Sequence, residues 1–234
     1  MRTPIYLTAA AALITTATFA NIISDDTSEE MRDVSNFDEV TLKGSMDVSV
    51  TIGEEKSIKV VADSDIIKYL ETRVSGGNLI IDLENDRSYR NVKKMHVFVT
   101  VPSLKSANLY GSGDIDIKNI DNDLFSFDLR GSGDAVLTNI SAKNLDLDLA
   151  GSGDIQGNGS CRNLDISLRG SGDIAAKRIK CDTVEVNLQG SGDVSVHAKE
   201  DAEINVRGSG DVDVYGDPDK LNSNVRGSGD VTRK

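Results

Sequence analysis

The chain has 234 residues, 38% apolar and 27% charged, a balance that excludes a disordered protein. Its formal charge of −12 implies an acidic surface that repels nucleic acid and anionic lipid, so neither is an expected partner. Gly is frequent (21) and Pro scarce (3), and the glycines fall at regular places, which marks turns of a repeat rather than a flexible linker.

Residues 1–20 read as a signal peptide. Arg2 supplies the positive charge, residues 5–20 are apolar or small and uncharged, and Thr18 and Ala20 suit cleavage before Asn21. This apolar run is shorter than the ~20 residues that span a bilayer. No Cys follows it, so no lipidated N-terminus is expected. After cleavage no segment is apolar enough for a membrane span. Residues 21–33 read as an N-terminal linker.

Residues 34–110 read as irregular first coils. Val40 and Leu42 precede Gly44-Ser45-Met46-Asp47, and Val48 and Val50 follow, an early rung of the later repeat with one Gly replaced. Residues 58–61, 79–83 and 97–101 are strand-like, residues 63–70 suit a short helix, and Gly76-Gly77 suits a hairpin turn. This part is expected to cap one end of the stack, because terminal repeats are atypical.

From residue 111 to 234 the tetrad Gly-Ser-Gly-Asp recurs seven times. It starts at Gly111, Gly131, Gly151, Gly170, Gly190, Gly208 and Gly227, with spacings of 20, 20, 19, 20, 18 and 19. A fixed period of this length signals a solenoid. Before each tetrad apolar and polar residues alternate, as in Leu145, Leu147, Leu149 and Leu164, Ile166, Leu168. A shorter alternation follows it, as in Ile115, Ile117 and Val194, Val196. Each rung is therefore strand, glycine turn, strand and looser return. Equivalent strands run the same way, and parallel crossovers are almost always right-handed. The expected fold is all-β: a right-handed parallel β-helix with about 19–20 residues per rung and an irregular N-terminal cap. Seven rungs at ~4.8 Å make a rod of about 35 Å.

In-register stacking makes a column of Asp114, Asp134, Asp154, Asp173, Asp193, Asp211 and Asp230. Unit charges ~4.8 Å apart repel by ~1 kcal/mol in water, so something must compensate. The carboxylates can cap backbone amides of the turn. Arg130, Arg169, Arg207 and Arg226, each just before a tetrad, can interleave. Or Ca²⁺ can bridge the column, the one cofactor considered.

Cys161 and Cys181 lie one rung apart, each three residues before the first apolar residue of its strand. Their Cα atoms are expected ~4.8 Å apart, within disulfide range, and two free thiols on a semi-exposed return are the other reading. His96 and His197 fit no triad or metal-ligand spacing and read as surface residues. Trp is absent, and a regular array supplies many carboxylates in one environment, whereas glycoside hydrolysis needs two in different ones. No catalytic residue is assigned and no enzyme is expected.

The segment Phe37-Asp38-Glu39-Val40 through Gly44-Ser45-Met46-Asp47-Val48, followed by reiterated Gly-Ser-Gly-Asp, resembles the "putative auto-transporter adhesin, head GIN domain" family. The resemblance implies an exported bacterial β-helix, periplasmic or at the cell surface, and carries no functional residue over. The expected role is an adhesin-like binding module at the cell envelope, meeting a glycan or protein. The alternatives are a structural element that self-assembles end to end, and a calcium-stabilised repeat protein. The last rung is an unpaired edge that either docks on a second copy or is blunted by Arg233 and Lys234.

Overall fold

The computed structural model describes residues 27–84 and 92–234, so the expected signal peptide at 1–20 lies outside it. Alternation of apolar and polar residues becomes alternation of buried and exposed ones. In β10 (Asp121–Gly131), Phe125, Phe127 and Leu129 are buried, while Ser126, Asp128 and Arg130 face outward. The following strands repeat this face by face: β11 (Ala135–Gly151), β12 (Ile155–Gly170), β13 (Ile174–Gly190) and β14 (Val194–Gly208). Each runs through the return corner, so the second half of one rung and the first half of the next form one continuous strand.

Neighbouring rungs pair in parallel. Leu145 lies beside Leu164 and Leu164 beside Val184. The tetrad glycines align in one line, Gly111 with Gly131, Gly131 with Gly151, and so on through Gly170, Gly190 and Gly208 to Gly227. Six such steps join the seven tetrads, so the regular stack makes about six turns. The architecture is a parallel β-solenoid, as the spacing of the tetrads implies. It has two parallel faces, one built from strand halves before the tetrad (face A) and one from those after it (face B).

The core is a set of stacked columns. Phe125, Leu145, Leu164, Val184 and Ala202 share one of them and shrink along the stack. Phe127 stacks on Ala107, so the bulkiest side chains meet small ones and the columns stay filled.

The early rung also forms. β2 (Glu39–Gly44) and β3 (Asp47–Ile52) stack on β8 (Ser106–Gly111) and β9 (Ile115–Lys118), with Gly44 beside Gly111 and Val48 beside Ile115. On its other side β2 pairs in parallel with β6 (Asn78–Leu83), and β3 with β7 (Met95–Val101). β6 and β7 thus lie beneath the rung that precedes them in the chain.

Beyond that rung the pairing turns antiparallel. β5 (Leu70–Ser75) joins β6 through Gly76 and Gly77, at φ 62° and 85°, a turn that needs positive φ at both central positions. β4 (Ser57–Asp63) lies antiparallel to β7, and β1 (Thr27–Met31) to β4. β1 falls inside the stretch expected to be linker; there it makes an edge strand. Of the helix expected at 63–70, only a 3-10 turn at Ile67–Tyr69 forms. The cap therefore holds the hairpin expected at Gly76-Gly77 and, beside it, further antiparallel ribbons where irregular coils were expected.

At the far end β15 (Val212–Tyr215), β16 (Lys220–Gly227) and β17 (Val231–Arg233) complete the stack. Arg233 turns back to the preceding rung, donating to Asp217 Oδ1 at 3.0 Å and to the Pro218 carbonyl at 2.9 Å. Lys234 pairs with Asp213 at 3.3 Å.

Candidate functional site

The tetrad corner accounts for its own residues. The first Gly carbonyl of each rung accepts the Ser N–H of the next, as from Ser152 to Gly131 at 2.9 Å. Each aspartate Oδ1 then accepts the backbone N–H of the next rung's aspartate: Asp134 N to Asp114 Oδ1 at 2.9 Å, Asp154 to Asp134 at 2.9 Å, Asp173 to Asp154 at 2.8 Å. The chain of bonds continues through Asp193, Asp211 and Asp230, each at 2.8 Å, and begins at Asp47, which accepts from Asp114. Column repulsion is thus opposed by one charge-assisted bond per step. The carboxylate caps the next rung rather than its own turn.

Arg130 does not interleave with the column as the second option required. Arg130 folds back along its own strand to Asp128, at 3.1 and 2.8 Å, with its guanidinium 5.5 Å from the Tyr110 ring centre. Among the described residues no group of three or more His, Cys, Asp or Glu is arranged to hold a metal ion.

Cys161 and Cys181 are paired across adjacent rungs and joined as a disulfide, with Cα atoms 4.5 Å apart. They are not on a semi-exposed return. They face inward, at 7% and 0% exposure, in a column shared with Ala142 and Ala198.

The histidines lie far apart in the stack. His96 stacks on Phe98 with ring centres 4.2 Å apart and shares a 2.8 Å hydrogen bond with Ser49 Oγ. Burial pushes its pKa down, against the pull of Asp47. His197 is also lowered, by burial first and then by Lys180 and Lys199. His96 thus holds a serine hydroxyl, but among the described residues no carboxylate is hydrogen-bonded to its other ring nitrogen, as the orienting group of a triad would be.

The feature the sequence reading passed over is the outer side of face A. Its outward positions line up as freely as the inward ones. Asp146, Asp165, Glu185 and Glu203 make one column, beside Asn144, Asn163, Thr183 and Asp201 in the next. Together with Leu124, Lys220 and Asn222 they line an open groove of about 700 Å³ crossing several rungs. Its rim is a hydrogen-bonded ladder: Asn163 Nδ2 donates to Asn144 Oδ1 at 2.7 Å, and Thr183 Oγ1 to Asn163 Oδ1 at 2.9 Å. Partial burial and neighbouring carboxylates raise the pKa of Asp146 and Asp165. The signal was present in the polar residues that alternate with the apolar ones, as in Leu145-Asp146-Leu147-Asp148, had the outward columns been stacked as well as the inward ones.

Packed interior columns, a self-capping corner and polar outer ladders define a β-solenoid whose chemistry lies on its surface. The chain belongs to the family described as "putative auto-transporter adhesin, head GIN domain", whose model matches residues 36–218. A crystal structure described as a putative adhesin from Bacteroides fragilis superposes with TM-score 0.87 at 22% identity, covering 90% of this chain and 98% of that one. A putative lipid binding protein from Parabacteroides distasonis gives TM-score 0.71 at 25% identity, with the same coverages of 90% and 98%. A putative adhesin from the same species gives 0.69 at 19%, covering 89% and 97%. No curated protein matches the chain. The family and these structures are described as adhesins or binding proteins, and none of these descriptions names an enzyme. No described helix is long and apolar enough to cross a membrane.

Proposed function

We propose that the chain is an exported, non-catalytic, adhesin-like module of the cell envelope, and that it binds an extended glycan along face A. The observation that carries this reading is the open groove. It runs across the rungs, and amide, hydroxyl and carboxylate groups recur along it at the strand spacing of ~4.8 Å. Such a surface offers repeated donors and acceptors to a polyhydroxylated chain, while its carboxylates disfavour a polyanion. The interior columns are filled, which supports binding at an outer face, and the adhesin description of the family agrees.

The test is a glycan array probed with residues 27–234 and with an Asp165→Ala/Glu185→Ala variant. Binding to neutral glycans that falls at least about tenfold in the variant supports the groove, about 1.4 kcal/mol. An array that stays blank, or binding unchanged in the variant, overturns it. Calcium has no part in this reading. A rise in melting temperature with millimolar Ca²⁺, reversed by chelator, would give it one.

End-to-end self-association is the second reading. It is favoured by β16, where most residues are exposed and Val225 is 38% exposed. A strict monomer in sedimentation at high concentration would remove it.

A further inference from the structure

Face B carries a second, smaller concavity of about 310 Å³, and it differs in kind from the groove on face A. It forms where the repeat breaks. Gly157 stands where Leu137 stands in the preceding rung, and the pairing slips between Leu137 and Ile140, between Gln156 and Asn158, and between Ala175 and Lys180. Bulges in three consecutive steps open the surface at one place, and bulges commonly re-aim side chains beside binding sites. The gap inside is refilled: the position of a Cβ on Gly157 lies 2.9 Å from Ile179 Cδ1. The outside is left as a notch.

Its chemistry is that of an anion receptor. Lys177, Arg178 and Asn158 line it with Gln156, over a floor that includes Val136 and Ala175, and no carboxylate takes part. In a chain of charge −12 this is a local inversion. Among the described residues no ion pair within 4.0 Å engages Lys177 or Arg178, and the Lys177 ammonium lies 5.8 Å from the Tyr215 ring centre. Asn158 Oδ1 already accepts the Asn139 N–H at 3.2 Å, which leaves its Nδ2 hydrogens as donors.

We propose that this notch binds the anionic substituent of a glycan, a carboxylate or a phosphate monoester. A guanidinium pairs with either in a two-point contact, beside the Lys177 ammonium and the Asn158 amide. The inference rests on the glycan-binding reading only for the identity of the polymer; the anion site itself does not need the face A groove.

The experiment is calorimetric titration of the purified protein with trigalacturonate, its methyl ester, and inorganic phosphate. Trigalacturonate is expected to bind at least ten times more tightly than the ester, and more weakly as salt rises. Lys177→Gln/Arg178→Gln and, separately, Asn158→Asp should each lose at least tenfold in affinity with the melting temperature unchanged. Asn158→Asp keeps the Oδ1 acceptor, so loss of binding there reports charge, not misfolding. Equal binding of acid and ester, no binding of either acid or phosphate, or variants that bind like the parent overturn the proposal. A blank neutral array with intact trigalacturonate binding would sink the face A groove and leave the notch standing; neutral binding with no preference for the acid would do the reverse.

Discussion

At the first and third tetrad positions only glycine fits, and the reason is the neighbouring rung. A Cβ at Gly153 would sit 1.9 Å from the Gly133 carbonyl oxygen, and one at Gly151 would sit 2.0 Å from that of Gly131 at a φ of +152°. Backbone, not a mobile side chain, is in the way. Gly153→Ala must therefore pry two rungs apart, and a loss above ~4 kcal/mol or failure to fold is expected in urea denaturation. Ser152→Ala, at an exposed position in the same tetrad, should stay within ~0.5 kcal/mol. Asp154→Ala leaves the Asp173 N–H without its acceptor and should cost about 1–2 kcal/mol, while Asp154→Asn keeps an acceptor oxygen and should cost less. Met46 shows the same rule from its exception. It takes the third position of the rung whose other neighbours, β6 and β7, carry no tetrad. Its side chain is fully buried there, with Cε 3.1 Å from where a Cβ on Gly44 would stand.

Among the strands, β12 and β13 are tied covalently. The Cys161–Cys181 bond closes a loop with a sequence separation of 20. Chain entropy puts the stabilisation from such a loop at about 3 kcal/mol. Cys161→Ala/Cys181→Ala isolates that contribution, since alanine already occupies the same column at 142 and 198, and the loss should appear in thermal or denaturant unfolding. Face A holds the opposite kind of contact. Asp146 and Asp165 have folded-state pKa values raised by desolvation and by carboxylate neighbours. A raised folded pKa means that their contribution is fully present below the unfolded value near 3.8 and is lost as pH rises through the folded one. Asp165→Asn should thus stabilise the protein at pH 7, by no more than about 0.5 kcal/mol because the group is exposed and screened. It should also flatten the melting-temperature rise on acidification toward pH 4; an unchanged pH profile would contradict the stacked column.

For the molecule as a whole, each rung touches only its neighbours above and below, so stability is close to a sum over nearest-neighbour steps. Opening costs least where a rung buries the fewest apolar side chains. In β16 most residues are exposed and Ser223 takes a place that Ile204 fills one rung earlier, whereas the inward residues of β11, β12 and β13 are buried. Amide exchange should therefore be faster across Lys220–Gly227 than across Ile155–Gly170, by tenfold or more. Uniform protection along the stack would argue for a single cooperative unit.

The amino-acid sequence by itself determined the solenoid, its rung length, the in-register glycine line and the family. It could do so because each step of the stack repeats one contact at one spacing: identical tetrads must meet when every Cβ at their glycines would strike a carbonyl, and alternation declares which side faces in. Face A, the notch on face B and the cap were decided only in three dimensions. The groove exists because outward residues from separate rungs align, and the notch because three small slips of pairing coincide. In the cap, strands pair antiparallel at separations that no period announces. The thiols sat between two readings for a related reason. Spacing placed them one rung apart, but only the packed column showed that both point inward toward each other.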